Sequence, residues 1–275
     1  MMEKVLTIAG SDATGGGGLE ADLKTFQEFG VFGLAAITSV VTMEPETGKH
    51  TMSPLEPALI QQQIDSAFAG PIDAVKTGLL PTKESIELVS RSLKSYPKKI
   101  VVDPVIGGKG TDDFVHTEPV EAIRKQLLPL AFITTPNLRE AGILSQLGEL
   151  SSKEEMQQAA EMIYSFGVKH VVIKGGTRLG LDQAYDLHYD GHTHTFYPHP
   201  LIDTSYNHGA GCTFAAAITA ALAKNYSVAQ AIDLAIRFVE AAIRSGIAIN
   251  PFVGHVWHGA YTHAEKRLEL TNDEQ

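Results

Sequence analysis

Cysteine is almost absent from this chain: among 275 residues there is one, Cys212. A single cysteine cannot close a disulfide within the chain, and the usage suits a reducing compartment. Basic residues are also in short supply. Lys and Arg number 22 against 32 Asp and Glu, for a formal net charge of -10. A polyanion such as DNA is repelled by that balance, because nucleic-acid binding needs a basic face. A nucleotide is small enough to bind where a local Lys, a metal and a helix N-terminus supply positive potential. No apolar run approaches the ~18 residues of a membrane span. The apolar stretch after Met1-Met2-Glu3-Lys4 is too short for a signal-peptide core, and no small-residue cleavage site follows it. These absences predict a soluble, cytoplasmic protein with neither nucleic-acid nor membrane partners. Charge blocks, low-complexity linkers and internal repeats are missing too, which predicts one domain over residues 1–275.

What is present is an alternation. With 44% hydrophobic residues, the chain has ample material for one large core. Val5-Leu6-Thr7-Ile8-Ala9 reads as a buried strand, followed by a Gly-rich loop at 15–18 and a helix near 19–29. Ala35 to Met43 is a second strand, and Ile72 to Lys76, Ile100 to Asp103, Phe132 to Thr134 and Val171 to Lys174 are four more. Pro57 to Ala69 is helical, with Leu59, Ile60, Ile64 and Phe68 apolar. Ser152-x-x-Glu155 and Ser227-x-x-Gln230 match the capping box of a helix start. The second opens a helix with Val228, Ile232, Ala235, Val239, Ala242 and Ile243 on one face, ending near Gly246. Continuous apolar strands separated by helices predict an α/β fold: a mostly parallel sheet covered on both faces. Tyr185 to His188 and Thr193 to Tyr197, flanking Tyr189-Asp190-Gly191, add a small antiparallel hairpin.

The chemistry-bearing segments lie at strand ends and helix starts. His208-Gly209-Ala210-Gly211-Cys212-Thr213 precedes an Ala-rich apolar helix. Its small residues let backbone N–H groups approach an anion, which the helix dipole also favours. A thiol there would ionise below its free value of about 8.5; a buried Cys packed as a small hydrophobe is the plainer alternative. Asp103, before Pro104, is a candidate for a metal's water shell. Asn137 and Glu140, one turn apart at a helix start, can face one magnesium–phosphate group. Lys174, before Gly175-Gly176, can reach a phosphate. Asp-Pro turns, an Asn N-cap and an ordinary strand exit would explain each segment separately; their shared place at strand C-termini is what points to a ligand.

Two further patterns compete. Gly16-x-Gly18-x-x-Ala21, with Glu44 near the end of the second strand, fits a dinucleotide fingerprint and so an NAD(P)-dependent oxidoreductase. That alternative leaves Lys174 and the helix start at Gly209–Cys212 without a role. His188, His192, His194 and His199 suggest a metal, but lack zinc-type spacing, so they are expected on a hairpin surface.

Taken in order, Ala9-Gly10-Ser11-Asp12 with the Gly run, Glu20-Ala21-Asp22-Leu23-Lys24-Thr25, Lys76-Thr77-Gly78, Val102-Asp103-Pro104-Val105, Thr135-Pro136-Asn137-Leu138-x-Glu140, Lys174-Gly175-Gly176 and His208–Thr213 resemble the vitamin-kinase branch of the ribokinase superfamily. That branch holds hydroxymethylpyrimidine kinases and pyridoxine/pyridoxal kinases, and the resemblance spans residues 4–258. It implies a ribokinase-like fold, usually a homodimer, with ATP and Mg2+ as cofactors. It also assigns the first Gly run to the acceptor. The acceptor pocket would include Asp12, Gly17, Met43, His50, Leu79, Val105 and Cys212. ATP would lie over Asn137, Lys174, Gly175, Gly176, Thr177, Arg178, Asp186 and Gly211, with magnesium by Asp103 and Glu140, mostly through water. Hydroxymethylpyrimidine kinases carry Gln where Met43 stands and Gly-Thr-Gly-Cys where this chain has Gly209-Ala210-Gly211-Cys212. Pyridoxal-type relatives share the Met and the Ala. Some of them carry a Cys in the loop where this chain has Gly107-Gly108-Lys109-Gly110. The expected activity is ATP-dependent phosphorylation of the hydroxymethyl group of pyridoxal or pyridoxine, with hydroxymethylpyrimidine or its phosphate as the alternative acceptor. In that reaction Cys212 would accept the hydroxyl proton. The phosphoryl group would pass over the amides of Gly209, Ala210, Gly211 and Cys212, with Lys174 and magnesium neutralising charge.

Overall fold

The computed structural model describes residues 2–96, 99–107 and 117–263. The apolar runs form strands that lie side by side. β1 (Lys4–Asp12) is flanked in parallel by β2 (Phe32–Met43) and by β4 (Ala74–Thr77), and β5 (Lys99–Val102), β6 (Ile133–Thr134) and β7 (His170–Ile173) continue the parallel run. Antiparallel strands close both ends: β3 (His50–Pro54) beside β2, then β8 (Ala184–Tyr189) and β9 (His194–His199) beyond β7. The sheet thus has nine strands in the order β3-β2-β1-β4-β5-β6-β7-β8-β9. The expected hairpin is part of this sheet and extends it, because β8 pairs with β7 through Val171, Val172 and Ile173.

Alternation along the strands sorts side chains to two cores. Leu6, Ile8, Ile100 and Val102 face one layer, while Val5 and Val101 face the other. The first layer is packed by α2 (Pro57–Ala67), α3 (Lys83–Leu93), α4 (Thr117–Ala122), α5 (Leu138–Ser145) and α6 (Lys153–Tyr164). The second is packed by α1 (Gly18–Glu28), α7 (Ala210–Ala223) and α8 (Val228–Arg244). Every residue of α7 from Thr213 onward is buried, as expected of a helix apolar all round. Leu59 departs from the expected apolar face of α2 and stays 47% exposed.

Local chemistry sets the helix starts. Ser227 and Gln230 form the full reciprocal box at α8. Ser152 caps α6 by accepting the Glu155 N–H at 3.1 Å, but the Glu155 carboxylate accepts the N–H and hydroxyl of Ser151 at 2.6 and 2.9 Å, so that box is half formed. Of the four hairpin histidines only His192 is exposed; His188 is buried and His194 and His199 are partly buried, against expectation. His188 is buried with its Nε2 3.1 Å from Nδ1 of His170, and His199 sits 3.4 Å from the Asp186 carboxylate. The period-two alternation of β8 puts His188 and Asp186 on one face. Among the described residues no cluster of His, Cys, Asp and Glu could hold a metal alone.

Below the C-terminal ends of the strands lies one fully buried ion pair. Lys76 Nζ donates to Asp22 Oδ2 at 2.9 Å, and the Thr7 hydroxyl donates to the same oxygen at 2.6 Å. Burial opposes the charge on Lys76, but Asp22, with Cys212 and Asp103, outweighs it and holds the ammonium well above its ordinary range. Removing one member of such a pair strands the other without compensation. Lys76→Met should therefore cost about 3–5 kcal/mol of unfolding free energy, read from the urea midpoint. Lys76→Met with Asp22→Leu should recover most of that loss, and an unchanged midpoint in the single variant would contradict the assignment.

Candidate active site

The parallel strands deliver their C-terminal ends to one edge of the sheet, and the chain order reverses at β1, between β2 and β4. Ligand crevices of open α/β sheets form at such a point. Asp12 ends β1, Asp103 follows β5, Asn137 follows β6, and Lys174 follows β7, where it bridges to Asn137.

The first glycine turn is organised by Asp12. Its Oδ1 accepts the N–H and hydroxyl of Thr14 at 2.9 and 2.6 Å; its Oδ2 accepts the Gly17 N–H at 2.8 Å and meets His208 Nε2 at 2.9 Å. Burial alone would raise its pKa, but the bonds from His208, Thr14 and Gly17 hold the carboxyl well below the usual range. Glu20 pins the strand end from below, accepting the Ser11 hydroxyl at 2.6 Å and the Asp12 N–H at 2.7 Å. This arrangement removes the dinucleotide alternative. An ionised carboxylate already occupies the amides a pyrophosphate would need, and Glu44 is exposed and tied to the Thr47 hydroxyl at 2.8 Å.

The second glycine turn packs against the first. Gly209 has φ +86°, a left-handed conformation that favours glycine, and a β-carbon there would lie 1.7 Å from the Gly16 carbonyl oxygen. α7 starts immediately after, so the N–H groups of its first turn, among them those of Gly211 and Cys212, have no carbonyl four residues back within the helix. Lys174 reaches this helix start: its Nζ would lie 3.5 Å from a β-carbon on Gly211. Cys212 follows, with the Gly18 backbone near enough to favour its thiolate. Here the sequence expectation is corrected. Burial pushes the thiol up to about 12, Lys76 pulls it down, and Asp103 and Asp22 push it further up. In the free protein Cys212 is a protonated thiol, because desolvation and two carboxylates outweigh the helix start.

Charge gathers between the two turns. Lys174 Nζ lies 3.4 Å from Asp103 Oδ1. Burial works against the ammonium, but Asp103 and Glu140 outweigh it and raise its pKa. Glu140 is raised to about 7, by burial first and by the Asp103 charge, against the pull of Lys174. Asn137 and Glu140 do not simply face outward together: they cap α5 reciprocally, Asn137 Oδ1 accepting the Glu140 N–H at 2.9 Å and Glu140 Oε2 accepting the Asn137 N–H at 2.8 Å.

All these groups line one cavity of about 530 Å³. Of the residues singled out from sequence, Asp12, Gly17, His50, Leu79, Asp103, Val105, Asn137, Glu140, Lys174 to Arg178, Asp186 and Gly209 to Cys212 all border it. Met43 does not. It lies at the far end of β2, where its sulfur is 3.9 Å from the Asn250 side-chain amide, and Val41 and Met52 take the wall instead. Asp186 borders the cavity with both oxygens engaged, Oδ1 by the Gly175 N–H at 3.0 Å and Oδ2 by His199, so it braces the Lys174–Gly176 turn. His50 has both ring nitrogens buried without a hydrogen-bond partner among the described residues. Burial and nearby His208 lower its pKa, which keeps the ring neutral and able to donate or accept. Of the Gly107–Gly110 loop, residues 108–110 lie outside the described residues. Sequence reading missed an apolar slot formed by Leu201 and Ile202 with Ile236, Val239 and Ile243 of α8. Val239 and Ile243 carried the helical periodicity, but that signal reads equally as core packing.

Residues 12–257 match the family described as phosphomethylpyrimidine kinase. The chain is 45% identical to the pyridoxine kinase of Bacillus subtilis over 94% of its own length and 97% of that protein's. It is 41% identical to the hydroxymethylpyrimidine/phosphomethylpyrimidine kinase of the same organism, over 94% and 95%. The structure superposes on the pyridoxal kinase of Staphylococcus aureus in complex with AMP-PCP and pyridoxal with a TM-score of 0.90, at 46% identity over 95% of each chain.

The protonation of Cys212 is testable on the free protein. A pKa displaced upward leaves less thiolate at any given pH, so alkylation by iodoacetamide should stay slow at neutral pH and keep rising past pH 9 in the folded chain. A rate that levels off near neutral pH would mean an activated thiolate and contradict the burial argument.

Proposed function

We propose that this chain, which belongs to the phosphomethylpyrimidine kinase family, transfers the γ-phosphoryl group of ATP to the hydroxymethyl group of pyridoxal and pyridoxine. The chain is an ATP-dependent kinase with the ribokinase-like fold, and the thiamine-pathway kinases are more distant relatives of it. The observation that carries the reading is the convergence of Lys174, Cys212 and the first turn of α7 on one cavity. On one side lie Asp12, His50, Leu79 and Val105, suited to a small polar ring; on the other lies the apolar slot of Leu201, Ile202, Ile236 and Val239, suited to a flat base.

In this reading the vitamin ring stacks between Leu79 and Val105, and His50 meets a polar ring substituent. The hydroxymethyl oxygen points at Cys212. The Gly209–Cys212 amides and Lys174 receive the charge of the transferred group, so catalysis is positioning and electrostatic stabilisation above all. Cys212 can take the hydroxyl proton only as a thiolate, so its own proton must first leave to water; Lys76 and the Gly18 N–H favour that thiolate against the burial that opposes it. Asp103 and Glu140 are two buried carboxylates close enough to raise Glu140. That donor set fits a divalent cation completed by water and phosphate oxygens, as magnesium requires. Magnesium held there supplies positive charge to the phosphate oxygens.

The reading extends to a homodimer and a cytoplasmic location. The single cysteine supports the second, and among the described residues no helix is long and apolar enough to cross a membrane. A single domain is supported by the reach of the family match over residues 12–257. The substrate assignment rests on relatives and on His50, since Met43 lies outside the cavity. Pyridoxal and hydroxymethylpyrimidine offered in one tube with ATP should separate by roughly tenfold or more in kcat/KM in favour of pyridoxal, if one good hydrogen bond decides. Preference for the pyrimidine would overturn the assignment.

A further inference from the structure

Two buried histidines near the end of the described chain belong to no part of the mechanism above. His255 and His258 are 3% and 5% exposed. Their segment runs beside the second glycine turn as a strand would: the His208 N–H donates to the Gly254 carbonyl and the Val256 N–H to the His208 carbonyl, both at 3.2 Å. His255 Nε2 meets the Thr14 carbonyl at 3.0 Å, and its ring lies 5.0 Å from that of His208. A β-carbon on Gly16 would fall 2.2 Å from the His255 ring, so the first glycine turn is moulded to it. His258 Nε2 meets the Thr213 hydroxyl at 2.9 Å, and that hydroxyl donates to the Gly209 carbonyl at 2.8 Å. The same segment therefore touches both glycine turns.

We infer that residues 255–258 form a strap that positions the phosphoryl-binding turn, with His258 acting through Thr213 on Gly209. The inference rests on the kinase reading above. The chemistry fixes the direction of the chain of bonds. A threonine hydroxyl has one proton, and in a helix it is commonly given to the carbonyl four residues back. With that proton on the Gly209 carbonyl, the Thr213 oxygen must accept, so His258 carries its proton on Nε2. Burial pushes the pKa of His258 down to about 4, so at neutral pH its ring has one proton to place. The Gly209 carbonyl then receives two bonds from Thr213, its hydroxyl and its N–H at 2.9 Å. The peptide of which that carbonyl is part opens α7. Holding it fixes the direction of the amides of Gly211 and Cys212. His258 touches no substrate atom and is a positioning residue. The sequence around it carries no pattern by which the role could be read, because its partner is 45 residues away.

Steady-state kinetics of His258→Ala, His258→Gln, Thr213→Val and the double variant Thr213→Val/His258→Ala, with pyridoxal and ATP, test the strap. His258→Ala and Thr213→Val should each lower kcat about tenfold, with KM for pyridoxal moved less than about twofold. His258→Gln, whose amide can donate to the same hydroxyl, should regain most of the loss, and the double variant should be no slower than either single one. A wild-type kcat in Thr213→Val, a glutamine variant no better than the alanine one, or losses that multiply would overturn the inference. If His258→Ala does not fold, the Gln and Val variants decide it. The imidazole 15N spectrum of the ligand-free protein gives a reading independent of activity. The His258 signal, identified by its loss in His258→Gln, should show the Nε2–H tautomer, and the Nδ1–H tautomer would overturn the strap. Failure of the wild-type chain to phosphorylate pyridoxal would instead overturn the kinase reading and leave the tautomer result standing.

Discussion

The carbonyl oxygen of Gly16 sits 1.7 Å from where a β-carbon on Gly209 would be. No other residue type fits at Gly209 without moving one turn off the other, and the active site depends on that contact. The two turns come from opposite ends of the chain, and Asp12 and His208 tie them at 2.9 Å across 196 residues of sequence. One turn is held by Asp12 at the end of β1, the other opens α7. In the proposed reaction their spacing would set the distance between a hydroxyl at the first and a phosphoryl group at the second, to which phosphoryl transfer is sensitive.

Electrostatics then divides the labour. The chain has a net charge of -10, yet its cavity is lined by Lys174 and the start of α7, with Lys76 buried outside the lining and acting on the Cys212 thiol. Each lysine is held charged by buried carboxylates, Asp22 for Lys76 and Asp103 with Glu140 for Lys174. Burial first, with Asp103 and Asp22 adding to it, raises the Cys212 thiol.

Much of this was legible in the sequence. Continuous apolar strands announced the parallel sheet, and short motifs at strand ends named about half of the residues that border the cavity, Asp12, Asp103, Lys174 and Cys212 among them. What stayed hidden had physical reasons. β3 is five residues, of which Thr51, Ser53 and Pro54 are exposed, too short and polar for a strand pattern. Met43 pairs with His50 one alternation beyond Val41 and does not itself border the cavity; a resemblance gives position along a strand but not where the cavity ends. The acidity of Cys212 was misjudged because a helix start is visible in sequence and desolvation is not. The apolar slot on α8 and the partners of His255 and His258 depend on contacts between residues far apart in the chain, which no local pattern records.

The most direct measurement is 31P NMR of pyridoxal and ATP incubated with the wild-type chain and with Gly209→Ala, each shown folded by its circular dichroism. The account predicts a phosphate monoester signal and ADP from the wild-type chain. It predicts a rate at least about a hundredfold lower from the variant, because the displaced turn misaims the amides that receive the phosphoryl charge. No phosphorylated vitamin from the wild-type chain, or equal rates from the two proteins, would contradict it.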